Sequence, residues 1–316
     1  MRVISFYKKW GIYLFLLVEI IIFTLLTDNF FSWNNIMNII RQSAMLGIVV
    51  VGVSFVMICG GCDLSVGGQM AVNGIVAALL MIRFGFHPFL ASLISIGLGV
   101  IMGIVNGVIV VKLKIQPLVV TLGTMTILQA IAYIVTGGKP IYGLPESFSM
   151  LGQGYIGPIP VPVVLFVIIA LIASFVLRKT YFGRYIYATG GNEETARLAG
   201  VNVRLLQVTV YAICGFVTAI SSLIMLSRVN SAQAGAGATY AFDCMTAAVL
   251  GGVSFSGGEG KVSGAVIGVI IIAVLGNALV LMNVNEYYQN VFKGILLIFA
   301  VALDNLQIKD KKPASE

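Results

Sequence analysis

The stretch Gly251-Gly252-Val253-Ser254-Phe255-Ser256-Gly257-Gly258-Glu259-Gly260-Lys261 crowds glycine, serine and lysine together, as phosphate-cradling loops do. A Walker A loop runs G-x-x-x-x-G-K-[ST]; its amides wrap the phosphates and its hydroxyl holds magnesium. Here Phe255 takes the place of the first glycine, and Val262 follows the lysine. The spacing argues against a nucleotide site, and the glycines instead suit a sharp turn and close helix approach. Cys59-Gly60-Gly61-Cys62 has the spacing of a dithiol or half a zinc site. His87, Cys214 and Cys244 do not complete a ligand set around it, so apolar packing is the expectation for these thiols. No nucleophile stands with a base, so no catalytic residue and no metal ligand is assigned.

What remains is polar chemistry with a single ionisable group, Asp63. Asp63, Ser65, Asn73, Asn106, Thr121, Thr124, Gln129, Tyr133 and Asn277 all fall inside or beside apolar runs. Polar groups at membrane depth are costly and therefore informative. Neutral donors and acceptors of this kind suit the path of a hydroxylated solute. The structural alternatives are equally specific. Asp63 or Ser65 can cap a helix, Asn106 and Asn277 can bond neighbouring helices, and threonines can bond their own helix.

The elements that position these residues follow from composition. The chain has 316 residues, 59% hydrophobic and 10% charged, with a mean hydropathy of +1.02. Soluble domains carry about 25% charged residues, so lipid is the solvent for most of this surface. A spanning helix needs about 20 apolar residues. Ten apolar segments can be drawn: 10–27, 42–59, 65–82, 89–111, 117–136, 160–177, 206–227, 243–252, 263–282 and 288–303. The expectation is an all-α polytopic membrane protein of about ten transmembrane helices in a single domain over 1–316. The eighth segment is too short to span unaided, so it extends into its flanks or is a broken helix.

With ten spans both termini share one side. Placing them inside puts Arg2, Lys8, Lys9, Lys112, Lys114, Arg178, Lys179, Arg184, Arg197, Arg204, Lys261, Lys309, Lys311 and Lys312 in cytoplasmic segments, 14 of the 19 positive residues. That bias fixes the termini as cytoplasmic. It also accounts for the net charge of +7 without nucleic acid as a partner, since no basic patch with interleaved aromatics is present. Segment 137–159 then lies outside as a Gly- and Pro-rich loop, and 178–205 lies inside. The Gly60–Gly67 stretch weakly echoes Gly251–Gly258, and glycine-interrupted segments in related positions can mark a transporter's pathway. Gly60, Gly61, Gly251, Gly252, Gly257 and Gly258 are assigned as structural glycines.

Within 178–205, Asn192 is a good N-cap, Glu193 and Glu194 suit a first turn, and Gly200 supplies a stop. Gly190 and Gly191 read as a loosened approach to this short helix. Glu194-Thr195-Ala196-x-x-x-Gly200 resembles the "EAA-x-x-x-G" loop by which ABC importer permeases dock onto their ATPase. Further stretches resemble the ribose/galactose/xylose-type permeases of bacterial ABC importers: "GGCDLSVGG" at 60–68, "TLGTMTILQ" at 121–129, "TGGKPIYGLPESF" at 136–148, "FGRYIYATGGNEETARLAGVNV" at 182–203, "AAVLGGVSFSGGEGKVSGAVIG" at 247–268 and "YYQNVFKGILLIFAVALD" at 287–304. Two positions depart from that pattern. Cys62 stands where an aliphatic residue is usual, and Ala241 where a glutamate is common.

The resemblance implies a permease subunit in the bacterial inner (plasma) membrane with no ATPase site or cofactor of its own. ATP and Mg would be bound by a separate, double-length cytoplasmic ATPase. A second permease copy or paralogue, an external solute-binding protein and membrane lipid are the other implied partners. Arg184, Asn192, Glu193, Glu194, Ala196 and Gly200 are assigned to ATPase coupling. The competing reading is a stand-alone secondary transporter or channel for a small polar solute. A proton- or sodium-coupled carrier usually needs intramembrane acids; Asp63 is the only good candidate, and Glu19, mid-span in the first segment, is a weaker one.

Overall fold

The computed structural model describes the backbone of residues 2–311 and the side chains of residues 11–302 and 304. Lys312 of the inner positive set lies outside the described residues, as do the side chains of Arg2, Lys8, Lys9, Lys309 and Lys311. The helices are α1 (Arg2–Leu26), α2 (Trp33–Ile58), α3 (Val66–Ile82), α4 (Pro88–Leu113), α5 (Pro117–Thr136), α6 (Glu146–Gln153), α7 (Val161–Lys179), α8 (Tyr181–Gly191), α9 (Glu193–Leu198), α10 (Val203–Val229), α11 (Tyr240–Leu250), α12 (Val262–Leu281) and α13 (Glu286–Lys311). Two short strands, β1 (Tyr155–Ile156) and β2 (Ile159–Pro160), form an antiparallel hairpin between α6 and α7. The chain is all-α and polytopic. Among the described residues α2, α4, α5, α7, α10 and α12 are long and apolar enough to cross a membrane. Gly11–Leu26 of α1, α3 and α11 are apolar but shorter.

Each apolar segment of the sequence corresponds to one of these helices, with boundaries set by local chemistry. Pro88 and Pro117 sit in the first turns of α4 and α5, where the missing N–H costs nothing. Ser32 accepts the amide of Asn35 and starts α2. α2 is apolar on every side from Ser43 to Ile58 and is buried throughout that length, as a helix without a polar face must be. It forms the centre of the largest core cluster, together with parts of α10, α11 and α12.

The most extensive helix contact is between α4 and α10. Gly99, Gly103 and Gly107 recur every fourth residue and leave one face of α4 bare. A Cβ on Gly103 would overlap the carbonyl of Tyr211, and one on Gly215 would overlap the carbonyl of Gly99. In lipid, where apolar surface gains nothing by leaving solvent, such backbone approach drives helix association.

Two expectations change. The approach to the cytoplasmic helix is not loose: Gly190 and Gly191 close the last turn of α8, an amphipathic helix that begins at Thr180, whose hydroxyl accepts the amide of Gly183. Their surroundings supply the reason, since Gly190 fits against backbone that a side chain would exclude. The 137–159 segment is also more than a loop. It carries α6 and the hairpin, and the Ser227 hydroxyl of α10 anchors it by donating to the Phe148 carbonyl at 2.6 Å and accepting the Gly152 amide at 2.8 Å. Ile141 pairs with Ala232 in an isolated antiparallel bridge.

Gly103→Leu should separate α4 from α10 and lower stability by about 3 kcal/mol, seen as a reduced unfolding midpoint in detergent. Gly97→Ala, on an open face of the same helix with nothing near its added methyl, should leave the midpoint unchanged or slightly raised.

Candidate functional site

The site is built from two breaks in the helical bundle and from the helices α8 and α9 that grip them. The first break is Gly60–Ser65, between α2 and α3. Cys62, Asp63, Leu64 and Ser65 are buried although they are not helical. Asp63 accepts the Ser65 amide at 2.9 Å and the Ser65 hydroxyl at 2.5 Å. That hydroxyl in turn accepts from Gln69 and from Asn106 of α4, each at 2.7 Å. The Tyr211 hydroxyl of α10 donates to the Cys62 carbonyl at 3.0 Å. Side chains thus satisfy backbone that could not otherwise sit at this depth.

The second break surrounds α11. Residues 231–239 precede it without helix, and 251–261, the glycine-rich stretch, follow it. α13 braces α11 at both ends. Lys293 pairs with Asp243 at 2.9 Å, and Asp304 accepts from the Phe255 amide at 3.0 Å and the Ser254 hydroxyl at 3.2 Å.

The two breaks meet at α8 and α9. The Gly258 amide donates to the Ile58 carbonyl at 2.9 Å. A Cβ on Gly190 of α8 would overlap that carbonyl, and one on Gly258, whose φ is 73°, would stand 2.8 Å from the Gly191 Cα. The Tyr187 hydroxyl donates to the Gly260 carbonyl at 2.8 Å. Burial raises the pKa of this phenol, with Arg178 opposing, so it keeps the proton it donates. α9 follows with both caps formed. Asn192 Oδ1 accepts the Thr195 amide at 2.8 Å. At the other end the Val201 amide returns to the Ala196 carbonyl and the Gly200 amide to Arg197, both within 3.1 Å, and Gly200 has a φ of 87°. That is a Schellman stop, which favours glycine.

The assigned coupling residues lie together on α8–α9. Arg184 stacks over the Tyr181 ring at 4.2 Å. Glu194 pairs with Arg197 at 2.6 Å, both exposed, while Ala196 is buried. Glu193 and Arg197 also border an open cleft of about 680 Å³ shared with Lys114, Gln116, Arg204 and Gln207.

The assigned pathway residues separate into groups. Asp63, Ser65 and Asn106 form one buried network; Gln69, not assigned from sequence, completes it one helical turn beyond Ser65. Asn73 is buried one turn further, its side-chain amide without a protein hydrogen bond. Asn277 lies apart and exchanges two hydrogen bonds with Asn35, at 2.8 and 2.9 Å, clasping α12 to α2. Thr121 and Thr124 bond carbonyls of their own helix. Gln129 reaches the carbonyl of Ala234, and Tyr133 is half exposed beside it. The four cysteines are free and buried. Sequence reasoning also missed Tyr187, Lys293 and Asp304, polar groups near helix ends that meet partners far along the chain.

The family described as branched-chain amino acid transport system / permease component matches residues 35–301. The ribose import permease protein RbsC of Haemophilus influenzae is 41% identical over 92% of this chain and 91% of its own length. RbsC of Bacillus subtilis is 40% identical over 94% and 92%. The galactose/methyl galactoside import permease protein MglC of Escherichia coli is 37% identical over 98% and 97%. No solved structure matches.

Breaking the brace should be costly on one side only. Lys293→Ala leaves Asp243 buried without its partner and should cost about 3–5 kcal/mol, whereas Lys293→Met with Asp243→Asn should recover most of that loss. Thermal unfolding of the purified protein reads both.

Proposed function

Because the chain belongs to the family of branched-chain amino acid transport system permease components, we propose that it is the transmembrane permease subunit of an ABC importer for a sugar or sugar-like neutral polar solute. The observation that carries this reading is the likeness, over more than nine-tenths of both chains, to permeases named for ribose and galactose. It favours sugar over the amino acid in the family's description. The protein is a multi-pass component of the bacterial cell membrane.

On this reading the chain is one domain with ten membrane passages, in which α11 and its flanking breaks together make the eighth. Both termini face the cytoplasm. The solute arrives from an external binding protein. A separate ATPase binds ATP and Mg and docks on α8–α9, where Arg184, Asn192, Glu193, Glu194, Ala196 and Gly200 form or support the contact. A second permease copy or paralogue completes the path, and the 60–74 and 251–265 stretches lie near it. The closed caps of α9 support a docking role. Isolated helices below about 12–15 residues are marginal in water, so a helix as short as α9 is held by its caps, by α8 and by what binds it.

Labelled ribose, galactose and leucine offered to cells with and without this gene test the reading. Sugar uptake that depends on this chain supports it; dependence for leucine alone would overturn it. Gly200→Pro cannot adopt the observed φ, and Glu194→Lys breaks the Arg197 pair and sets a cation against the helix dipole. Each should lower uptake about ten-fold or more while the protein still reaches the membrane. Wild-type uptake by both variants would remove the coupling role of α9.

A further inference from the structure

We infer that the solute is held in transit at a groove between the first turn of α3 and the middle of α5, lined by Gly67, Gly68, Thr126, Gln129, Tyr133 and Ala238. This rests on the permease reading and adds a site to it. The groove measures about 440 Å³, within the range of small-molecule sites, about 300–1,000 Å³. It lies near the middle of α5, hence near the bilayer midplane, where transporter sites form at discontinuous helices. Both neighbouring helices are discontinuous. α3 begins at buried residues and α11 at half-buried ones, and the backbone leading into each is irregular. The two starts touch: a Cβ on Gly237 would lie 3.0 Å from the Gly67 carbonyl oxygen. Neither helix start carries a side-chain cap; at α11 the Tyr240 amide is taken by the Gly237 carbonyl, so it is the start of α3 whose first-turn amides and positive dipole end remain for an oxygen ligand.

The lining defines the ligand. Among the described residues no charged side chain lines the groove, so an ionic solute would leave water without a counter-charge there. Gln129 commits its amide N–H to the Ala234 carbonyl, which fixes the 231–239 segment to α5 and leaves Oε1 as an acceptor. Thr126 donates to the Leu122 carbonyl at 3.0 Å and keeps its lone pairs. The Tyr133 ring is 51% exposed; among the described residues nothing accepts from or donates to its hydroxyl. An apolar ring face beside an acceptor, a hydroxyl and bare glycine backbone suits a neutral polyhydroxylated ring, whose C–H face stacks and whose hydroxyls donate and accept. The larger cytoplasmic cleft, with Lys114, Glu193, Arg197 and Arg204, has the opposite chemistry.

The buried native cysteines give a quiet background for thiol labelling of the assembled importer in membrane vesicles. A cationic, water-soluble methanethiosulfonate should modify Thr126→Cys about ten-fold faster than Ile127→Cys, because only a hydrated thiol ionises to the reactive thiolate. Ribose or galactose delivered with the binding protein should slow the first reaction and not the second. In the same vesicles Tyr133→Leu should raise the KM for sugar about ten-fold, a loss of about 1.4 kcal/mol, with Tyr133→Phe between it and wild type. Wild-type vesicles that carry neither sugar would overturn the permease reading and the groove with it. Wild-type transport together with equal labelling of the two cysteines, or with labelling of Thr126→Cys that sugar does not slow, would overturn the groove alone.

Discussion

The amide of Gly258 on the carbonyl of Ile58 is the contact on which the rest of the structure depends. α2 ends at Ile58, and the last carbonyls of any helix lack partners within it. Here a residue 200 positions further along supplies one. Gly190 lies directly against that carbonyl, and Gly257 against Gly60. Three chain segments meet backbone to backbone, a distance that side chains would prohibit. The central helix of the core, the glycine-rich loop after α11 and the helices α8 and α9 are therefore one mechanical unit. A displacement of α9 has a direct route to both helix breaks.

Lipid as solvent explains why the breaks take the form they do. Irregular backbone at membrane depth is tolerated only where protein or a watered cavity satisfies it. In Cys62–Ser65 the Cys62 carbonyl is satisfied by Tyr211 and the Ser65 amide by Asp63, while Gln69 and Asn106 hold the Ser65 hydroxyl; α11 and the loop after it are held by Lys293 and Asp304 of α13. A fully polar pore would forfeit the apolar packing around it. A short groove at the meeting of two helix starts offers hydrogen bonds to a solute while the bundle remains closed around them.

Much of the fold was legible because a spanning helix needs a long apolar run: each of the ten apolar segments drawn from the sequence corresponds to a helix, and among the described residues six of those helices are long and apolar enough to cross a membrane. The shortness of the eighth segment left two readings, extension into its flanks or a broken helix, and α11 runs only over Tyr240–Leu250 between non-helical stretches. The caps of α9 were equally legible, since Asn192 and Gly200 act within a few residues of themselves. What was hidden depends on distant partners. Gly190 and Gly191 look like a hinge in isolation and are a packing surface once Ile58 and Gly258 are in place. Asn277 could serve a solute or a neighbouring helix, and the partner it meets, Asn35, lies far along the chain. The spacing of Gly99, Gly103 and Gly107 was a visible signal for a close helix crossing. Tyr133 was noted as polar, but its place in a groove depends on the path of residues 231–239, which no local pattern fixes.

Hydrogen exchange over residues 251–261 tests the glycine junction most directly. A solvated glycine-rich turn would exchange as fast as unstructured chain. The junction predicts slow exchange there and in 56–61, with Tyr187→Phe and Gly190→Val each accelerating both segments while α4 and α10 remain protected. Fast exchange of 251–261 in the unaltered protein, or slow exchange that neither substitution changes, would contradict a junction that binds α8 and α9 to the two breaks.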